Sequence, residues 1–231
     1  MKRIASCFLA FWISFFPFHL KLSAKEGSEK IYCRNAACQS KVALTFDDGP
    51  HPRYTEEILD ILAEYHVTAT FFIIGINAIN YPEDLQKIVA SGCEIGNHTE
   101  SHRHLRELSE EKIRWELSEC ENTIEKLCGI RPSIFRPPEG MMNDTLKCVA
   151  KELGYSVVLW SIDTKDWALN PPNQIFKTVK NQIRGGDIIL MHDYVSGGNT
   201  TCQALRLLIP ELLSRGYEFV TVSELIKEDH G

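Results

Sequence analysis

Two carboxylates stand side by side at Asp47 and Asp48, where the apolar run 42–46 ends and Gly49-Pro50 begins. Asp-Gly is an ordinary turn dipeptide, so on the stretch LTFDDGPH alone a simple turn and a reactive site are equally good readings. Adjacent like charges resist sharing full ionisation. A bound dication removes that repulsion and leaves one carboxylate as a ligand and its neighbour free to take a proton. Further along, NHTESH carries His98 and His102 four residues apart, with His104 close by. On a helical turn that spacing puts both imidazoles on one side, within reach of one cation. Two histidines and one carboxylate suit Zn²⁺ with an open position for water, or another divalent transition metal.

Other ionisable groups follow the same habit of sitting directly behind apolar runs. Arg136 opens RPPEG, Asp163, Asp166 and Trp167 lie in DTKDW, and His192 and Asp193 follow the run 187–191. Pro137 and Pro138 restrict the backbone beside Arg136, which argues against a casual surface charge there. The apolar runs are 42–46, 70–74, 93–95, 134–135, 155–162, 187–191 and 217–222, rich in Val, Ile, Phe and Tyr as strands are. Between them lie amphipathic stretches at 56–65, 83–90, 109–127, 144–154, 173–183 and 200–216. Thr55, Ser109, Asp144, Asn173 and Thr200 are the expected caps or starts, and glycines follow several of the ends. Seven apolar runs alternating with six amphipathic stretches predict an α/β fold with a parallel sheet in one domain. A closed or nearly closed barrel suits the length, and an open doubly wound sheet is the alternative. In either, reactive groups belong at the C-terminal strand ends, which is where these residues fall.

The chain has 231 residues, enough for one large domain. Lys2 and Arg3 precede an apolar stretch to Leu20, and small residues follow at Ser23 and Ala24, the layout of a secretory signal at 1–24. An uncleaved membrane anchor is the other reading of that stretch, although Pro17 and His19 interrupt it. Residues 25–40 read as a polar linker or arm, and 41–231 as the catalytic domain. Without 1–24 the 25 basic residues become 22 against 31 acidic ones, a net charge of −9. No basic run suited to nucleic acid or an anionic membrane surface survives. Seven of the eight cysteines remain after Cys7. Cys33 and Cys38 are close enough to pair, Cys120, Cys128, Cys148 and Cys202 are further candidates, and Cys93 and Cys148 read as buried small apolar side chains.

The stretches TFDDGP, HTESH, RPPEG, DTKDW and LMH, in this order over 42–225, resemble the five motifs of the polysaccharide deacetylases, carbohydrate esterase family four, with its NodB-like homology domain. The resemblance implies a distorted (β/α)7-like barrel. It implies that Asp48, His98 and His102 bind a divalent metal, usually zinc, and that Asp47 is the general base, oriented by Arg136. His192 would be the general acid, held by Asp166. Trp167 and Leu190 would wall a pocket for the acetyl methyl, and the backbone N–H at Glu139 would serve the oxyanion. The implied activity is removal of N-acetyl groups from an amino-sugar polymer, a cell-wall glycan such as peptidoglycan or a chitin-like chain, by an exported enzyme. Many family members carry an aromatic residue where this chain has Glu139, which turns an apolar groove wall anionic. Two other functions stay open: hydrolysis of a non-sugar amide or ester on the same scaffold, and glycan binding by a degenerate barrel. Trp167 could equally be core, Asp163 a loop cap, and Asp193 a residue that simply faces water.

Overall fold

The structure is a computed structural model and describes residues 31–194 and 200–227. The expected signal at 1–24 and the first part of the linker lie outside the described residues. Among the described residues nine strands form one sheet: β1 Ile31–Tyr32, β2 Lys41–Gly49, β3 Thr70–Ile73, β4 Glu94–Asn97, β5 Ile134–Phe135, β6 Ser156–Val158, β7 Ile162–Asp163, β8 Ile188–His192 and β9 Glu218–Phe219. Every strand pairing is parallel, in the order β1-β6-β5-β4-β3-β2-β8-β7, with β9 on β2. The helices are α1 Tyr54–Glu64, α2 Gly75–Asn80, α3 Pro82–Ala90, α4 Glu110–Cys128, α5 Asp144–Glu152, α6 Pro172–Gln182, α7 Thr200–Ser214 and α8 Val222–Lys227.

The central strand explains why the sheet is parallel and covered. Val42, Ala43, Leu44 and Phe46 are all fully buried, although they alternate between the two faces of β2. A strand apolar on both faces needs helices outside and packed side chains within. α1 supplies Ile58, Leu59, Ile61 and Leu62 to that cover, while α4 adds Cys120 and Ile124 to the same core and packs Ile113 and Leu117 with Phe135 and Val157. Spacings of three and four put each set on one stripe of its helix. Gly129, at φ 72°, closes α4 in the left-handed conformation that glycine adopts without strain.

The barrel is curled but carries a seam. The run 155–162, expected as one strand, divides into β6, which pairs with β5, and β7, which pairs with β8. Residues 159–161 cross between the two ends of the sheet. There the Leu159 N–H bonds to the Tyr32 carbonyl at 2.7 Å and the Ser161 N–H to the Ile188 carbonyl at 3.0 Å. With no single neighbour spanning both sides, one unbroken strand cannot form. Seven strand-to-helix units remain, and the distorted (β/α)7-like barrel stands.

Residues 31–40 differ from the expected linker. Ile31 and Tyr32 pair with Val157 and Val158, and buried Asn35 donates its side-chain N–H to the Leu225 carbonyl at 2.8 Å. Three helix starts also move. Thr55 lies inside α1, Asn143 rather than Asp144 caps α5 by accepting the Leu146 N–H, and α6 begins at Pro172. Cys33 is an exposed free thiol, so it makes no bridge to Cys38, and Cys148 is exposed rather than buried. Cys93 is buried as expected. No helix among the described residues is long and apolar enough to cross a membrane.

Candidate active site

Asp47 and Asp48 reach one cavity because β2 is irregular at its end. Neighbouring strand residues point to opposite faces. Between Asp47 and Gly49 the register to β3 slips by one residue, and Asp48 takes the left-handed conformation at φ 77°. Such a bulge re-aims a side chain, here bringing both carboxylates to the same cavity. Asn77 on α2 steadies the turn by donating to the Asp48 carbonyl at 2.7 Å.

The two histidines also meet, but not on a helical turn. Residues 98–102 form a loop after β4 in which Thr99 (φ 72°) and His102 (φ 53°) are left-handed. The rings lie 5.0 Å apart between centroids. His98 is buried and its Nδ1–H donates to the Arg136 carbonyl at 2.7 Å, which turns Nε2 toward the cavity. Asp48 Oδ1 is buried without a hydrogen-bond partner, 3.2 Å from His102 Nε2 and 3.5 Å from His98 Nε2. Ligand atoms of Asp48, His98 and His102 all lie within 4.8 Å of one another. An orphaned oxygen between two imidazole nitrogens fits a divalent cation held by these three residues. The charges agree. Burial opposes the charged form of His98, yet Asp47 and Asp48 outweigh it and raise the pKa. Burial and the neighbouring His98 lower that of His102. Burial acts to raise the pKa of Asp48, but His98, His102 and His192 hold it down at about 2. His104 stays outside the set and faces Glu139, with its Nδ1 3.3 Å from the carboxylate.

Arg136 is fully buried and ties the site together. Its Nη1 donates to Asp47 Oδ1 at 2.7 Å and to Thr45 Oγ1 at 2.8 Å. Nε and Nη2 donate to the Val158 and Leu159 carbonyls, and the guanidinium lies 4.0 Å from the Phe72 ring centroid. Burial lowers its pKa while Asp47 raises it. A buried ion pair of this kind holds a carboxylate in one orientation, and removing one partner alone is costly.

Across the cavity, His192 Nδ1–H donates to Asp166 Oδ1 at 2.8 Å. Asp166 is fully buried; its Oδ2 accepts the His192 N–H and the Thr201 hydroxyl, both at 2.8 Å. Burial works against a charged His192, but the bond and charge of Asp166, with Asp47 and Asp48, raise its pKa to about 9. At neutral pH it is a proton donor.

These groups line a cavity of about 370 Å³ formed by Asp47, Asp48, His98, His102, Glu139, Trp160, Asp163, Trp167, Leu190 and His192. Trp167 is 56% exposed, so it is a wall of the cavity and not core. Leu190 is buried on β8 and forms the floor beside it. Glu139 is left-handed at φ 57°, in a turn after Arg136, with its carboxylate at the rim. Asp163 accepts the Lys165 N–H at 2.8 Å, the capping role considered from the sequence. Two residues were missed. Trp160 lay hidden inside an apolar run, and its only sequence signal was an aromatic ring at a strand end. Asp193 does not face water: it is 2% exposed, accepts the Thr55 hydroxyl at 2.6 Å and donates its N–H to the Asp47 carbonyl. Burial, with Asp48 adding, raises its pKa to about 7 against the Thr55 bond.

Comparison with known proteins agrees with this geometry. The family model for polysaccharide deacetylase matches residues 34–158. A peptidoglycan-N-acetylglucosamine deacetylase from Bacillus cereus is 41% identical over 82% of this chain and 89% of its own. The peptidoglycan-N-acetylmuramic acid deacetylase PdaC from Bacillus subtilis is 40% identical over 81% of this chain, which spans only 39% of that longer protein. A solved peptidoglycan N-acetylglucosamine deacetylase superposes with a TM-score of 0.82 at 34% identity, covering 85% of this chain and 92% of that one. A CE4 family pseudoenzyme from Bacillus anthracis superposes at 0.80 with 30% identity, covering 86% and 69%, so the fold alone does not guarantee activity. On sequence, fold and the composition of its cavity, the chain belongs to the polysaccharide deacetylase family.

Proposed function

We propose that this chain is an exported, zinc-dependent hydrolase that removes N-acetyl groups from an amino-sugar polymer, with cell-wall peptidoglycan as its substrate. The observation that carries the reading is the convergence on one cavity of a carboxylate pinned by arginine, an Asp-His-His set and a histidine held by a buried aspartate. The names of the Bacillus relatives support peptidoglycan over a chitin-like chain. The basic, apolar and small-residue order at 1–24 supports export.

A divalent cation held by Asp48, His98 and His102 supplies Lewis acidity toward the amide carbonyl and toward water; two imidazoles and one carboxylate suit zinc. Asp47 takes the proton of the attacking water. Its Oδ1 is engaged by Arg136, so Oδ2 is the oxygen presented to the cavity, 3.8 Å from His98 Nε2. The Glu139 N–H stabilises charge on the carbonyl oxygen. His192 Nε2 gives its proton to the departing nitrogen, since an amine leaves readily only when protonated, and Asp166 holds the imidazole by Nδ1. Leu190 and Trp167 enclose the acetyl methyl and shed water from it.

The test is acetate release from peptidoglycan and from N-acetylglucosamine oligomers by the purified chain with Zn²⁺ or Co²⁺, with mass spectrometry of the fragments for loss of acetyl. Chelator and His98→Ala should each abolish release. Glycan binding without turnover would instead favour a degenerate binding module, and release from acetate esters or small amides only would favour a non-sugar substrate. Export is checked by the N-terminus of the protein recovered from the producing cells; a retained residue 1 in soluble cytoplasm would count against it.

A further inference from the structure

We propose that Glu116 is a positioning residue for the metal-binding loop: from the inner side of α4 it fixes Ser101, and through it the placement of His102. This rests on the reading that Asp48, His98 and His102 hold a divalent cation.

Glu116 is 2% exposed, an unusual place for a carboxyl group. Burial of such a group is tolerated when it is hydrogen-bonded, and its partners are specific. Oε2 accepts the Ser101 N–H at 2.9 Å and Oε1 accepts the Ser101 hydroxyl at 2.5 Å. The Glu116 backbone carbonyl takes the Glu100 N–H at 3.0 Å. One residue of a long helix thus receives three hydrogen bonds from two consecutive loop residues.

The loop needs such ties. Thr99 and His102 both hold left-handed backbone, which a side-chain-bearing residue disfavours, so neither conformation persists unless its surroundings impose it. The first half of the loop is held from elsewhere. The His98 N–H bonds to the Ile73 carbonyl, the Thr99 N–H to Asn97 Oδ1, and the Gly75 N–H to the Thr99 carbonyl. His98 itself is oriented by the Arg136 carbonyl. For the second half, the bonds that Ser101 donates both end on Glu116, and His102 follows directly. His102 N–H then bonds back to Thr99 Oγ1 at 3.0 Å. The separation between the two imidazoles is therefore set from two sides: by Arg136 for His98 and by Glu116 for His102.

The experiment uses the full chain stripped of metal. Zn²⁺ is titrated by calorimetry, Co²⁺ by its visible absorption, and the metal-free proteins are melted. Glu116→Asp keeps the charge but shortens the reach, and should weaken metal binding by about 10- to 100-fold, the usual range for groups that support a ligand. It should also alter the Co²⁺ spectrum. Glu116→Gln keeps the length and can still meet both Ser101 groups, so it should bind within a few fold of wild type. Ser101→Ala, at a half-buried site that tolerates it, should cost about fivefold, the counterpart of one ordinary hydrogen bond. Lower melting temperatures with unchanged metal affinity and spectrum in Glu116→Asp and Ser101→Ala would reduce Glu116 to a stabilising residue and overturn the proposal. Loss in Glu116→Gln with none in Glu116→Asp would overturn it too, because charge and not reach would then be the cause. If wild type takes up no metal, the cation reading falls and the positioning role with it. If wild type binds and Glu116→Asp binds equally well, only the positioning role falls.

Discussion

Asp166→Asn offers the sharpest test of the proton-donor assignment. His192 has a pKa raised to about 9 from an ordinary 6.5, against a burial effect of opposite sign, and Asp166 is first among the groups that raise it. A raised pKa keeps the imidazole charged as pH rises, so wild type should lose its acid only near pH 9. Asparagine removes the negative charge and leaves the burial effect, the largest influence on this imidazole, working against the charged form, so the pKa should fall to about its ordinary 6.5. At pH 8 the charged fraction would then drop from about nine-tenths to about 0.03, roughly a 30-fold loss. At pH 6 it would stay at about three-quarters, close to wild type. The ratio of activity at pH 6 to that at pH 8 should therefore rise by roughly 22-fold. Taking a ratio within one variant cancels any loss from misfolding. Acetate release from N-acetylglucosamine oligomers across pH 5 to 10, at saturating Zn²⁺, measures it. An alkaline limb that stays near pH 9 in Asp166→Asn would remove His192 from the role of acid tuned by Asp166.

Asp47→Asn should retain metal by calorimetry and lose about two to four orders of magnitude in kcat, because the base is gone while the three ligands remain; normal turnover would exclude Asp47 as base. Gly49→Ala should destabilise the protein by about 1–3 kcal/mol in urea unfolding, since an added Cβ would lie 1.9 Å from Asp193 Oδ2 and force the bulge to shift; wild-type stability would show that the contact yields freely. Asp193→Asn tests a linkage in the metal-free protein. The folded pKa of Asp193 is raised from 3.8 to about 7, so its stabilising contribution is complete below pH 3.8 and is lost as pH rises through about 7. Wild type should lose up to about 4 kcal/mol relative to Asp193→Asn between pH 4 and pH 7.5, and a difference independent of pH would contradict it. Glu139→Tyr should lower KM for neutral chitooligosaccharides, because a sugar face packs on a ring while a carboxylate prefers water or a cation; unchanged kinetics would show that the rim carboxylate selects nothing.

The cavity residues with a chemical signature were legible because each follows its own apolar run: Asp47 and Asp48 after β2, His98 and His102 after β4, Arg136 after β5, His192 at the end of β8. The histidine pair meets by a different geometry from the helical turn that its spacing suggests. Their meeting depends on left-handed backbone at Thr99 and His102, not on helical spacing. Supporting residues were not legible. Asp193 and Thr55 are 138 positions apart, and Glu116 and Ser101 are 15 apart, so no local pattern links them. Buried carboxyl groups look like solvent-facing ones until their partners are known.

Order and residue type alone determined the alternation of strands and helices, the parallel sheet, and the set of ionisable groups at one end of it. These follow from hydrophobic periodicity and from the rule that the strand ends of such a fold carry its chemistry, both local properties of the chain. Tertiary structure alone decided that the barrel breaks at 159–161, that Ile31 and Tyr32 add an edge strand to the sheet, and that Asp48 turns to the same side as Asp47. It also decided which oxygen of Asp48 is left without a partner between two imidazoles. A backbone bulge, a seam and a buried hydrogen bond each depend on groups far apart in the chain meeting within 3 Å or so. That proximity is a property of the packed barrel, and no spacing in the sequence encodes it by itself.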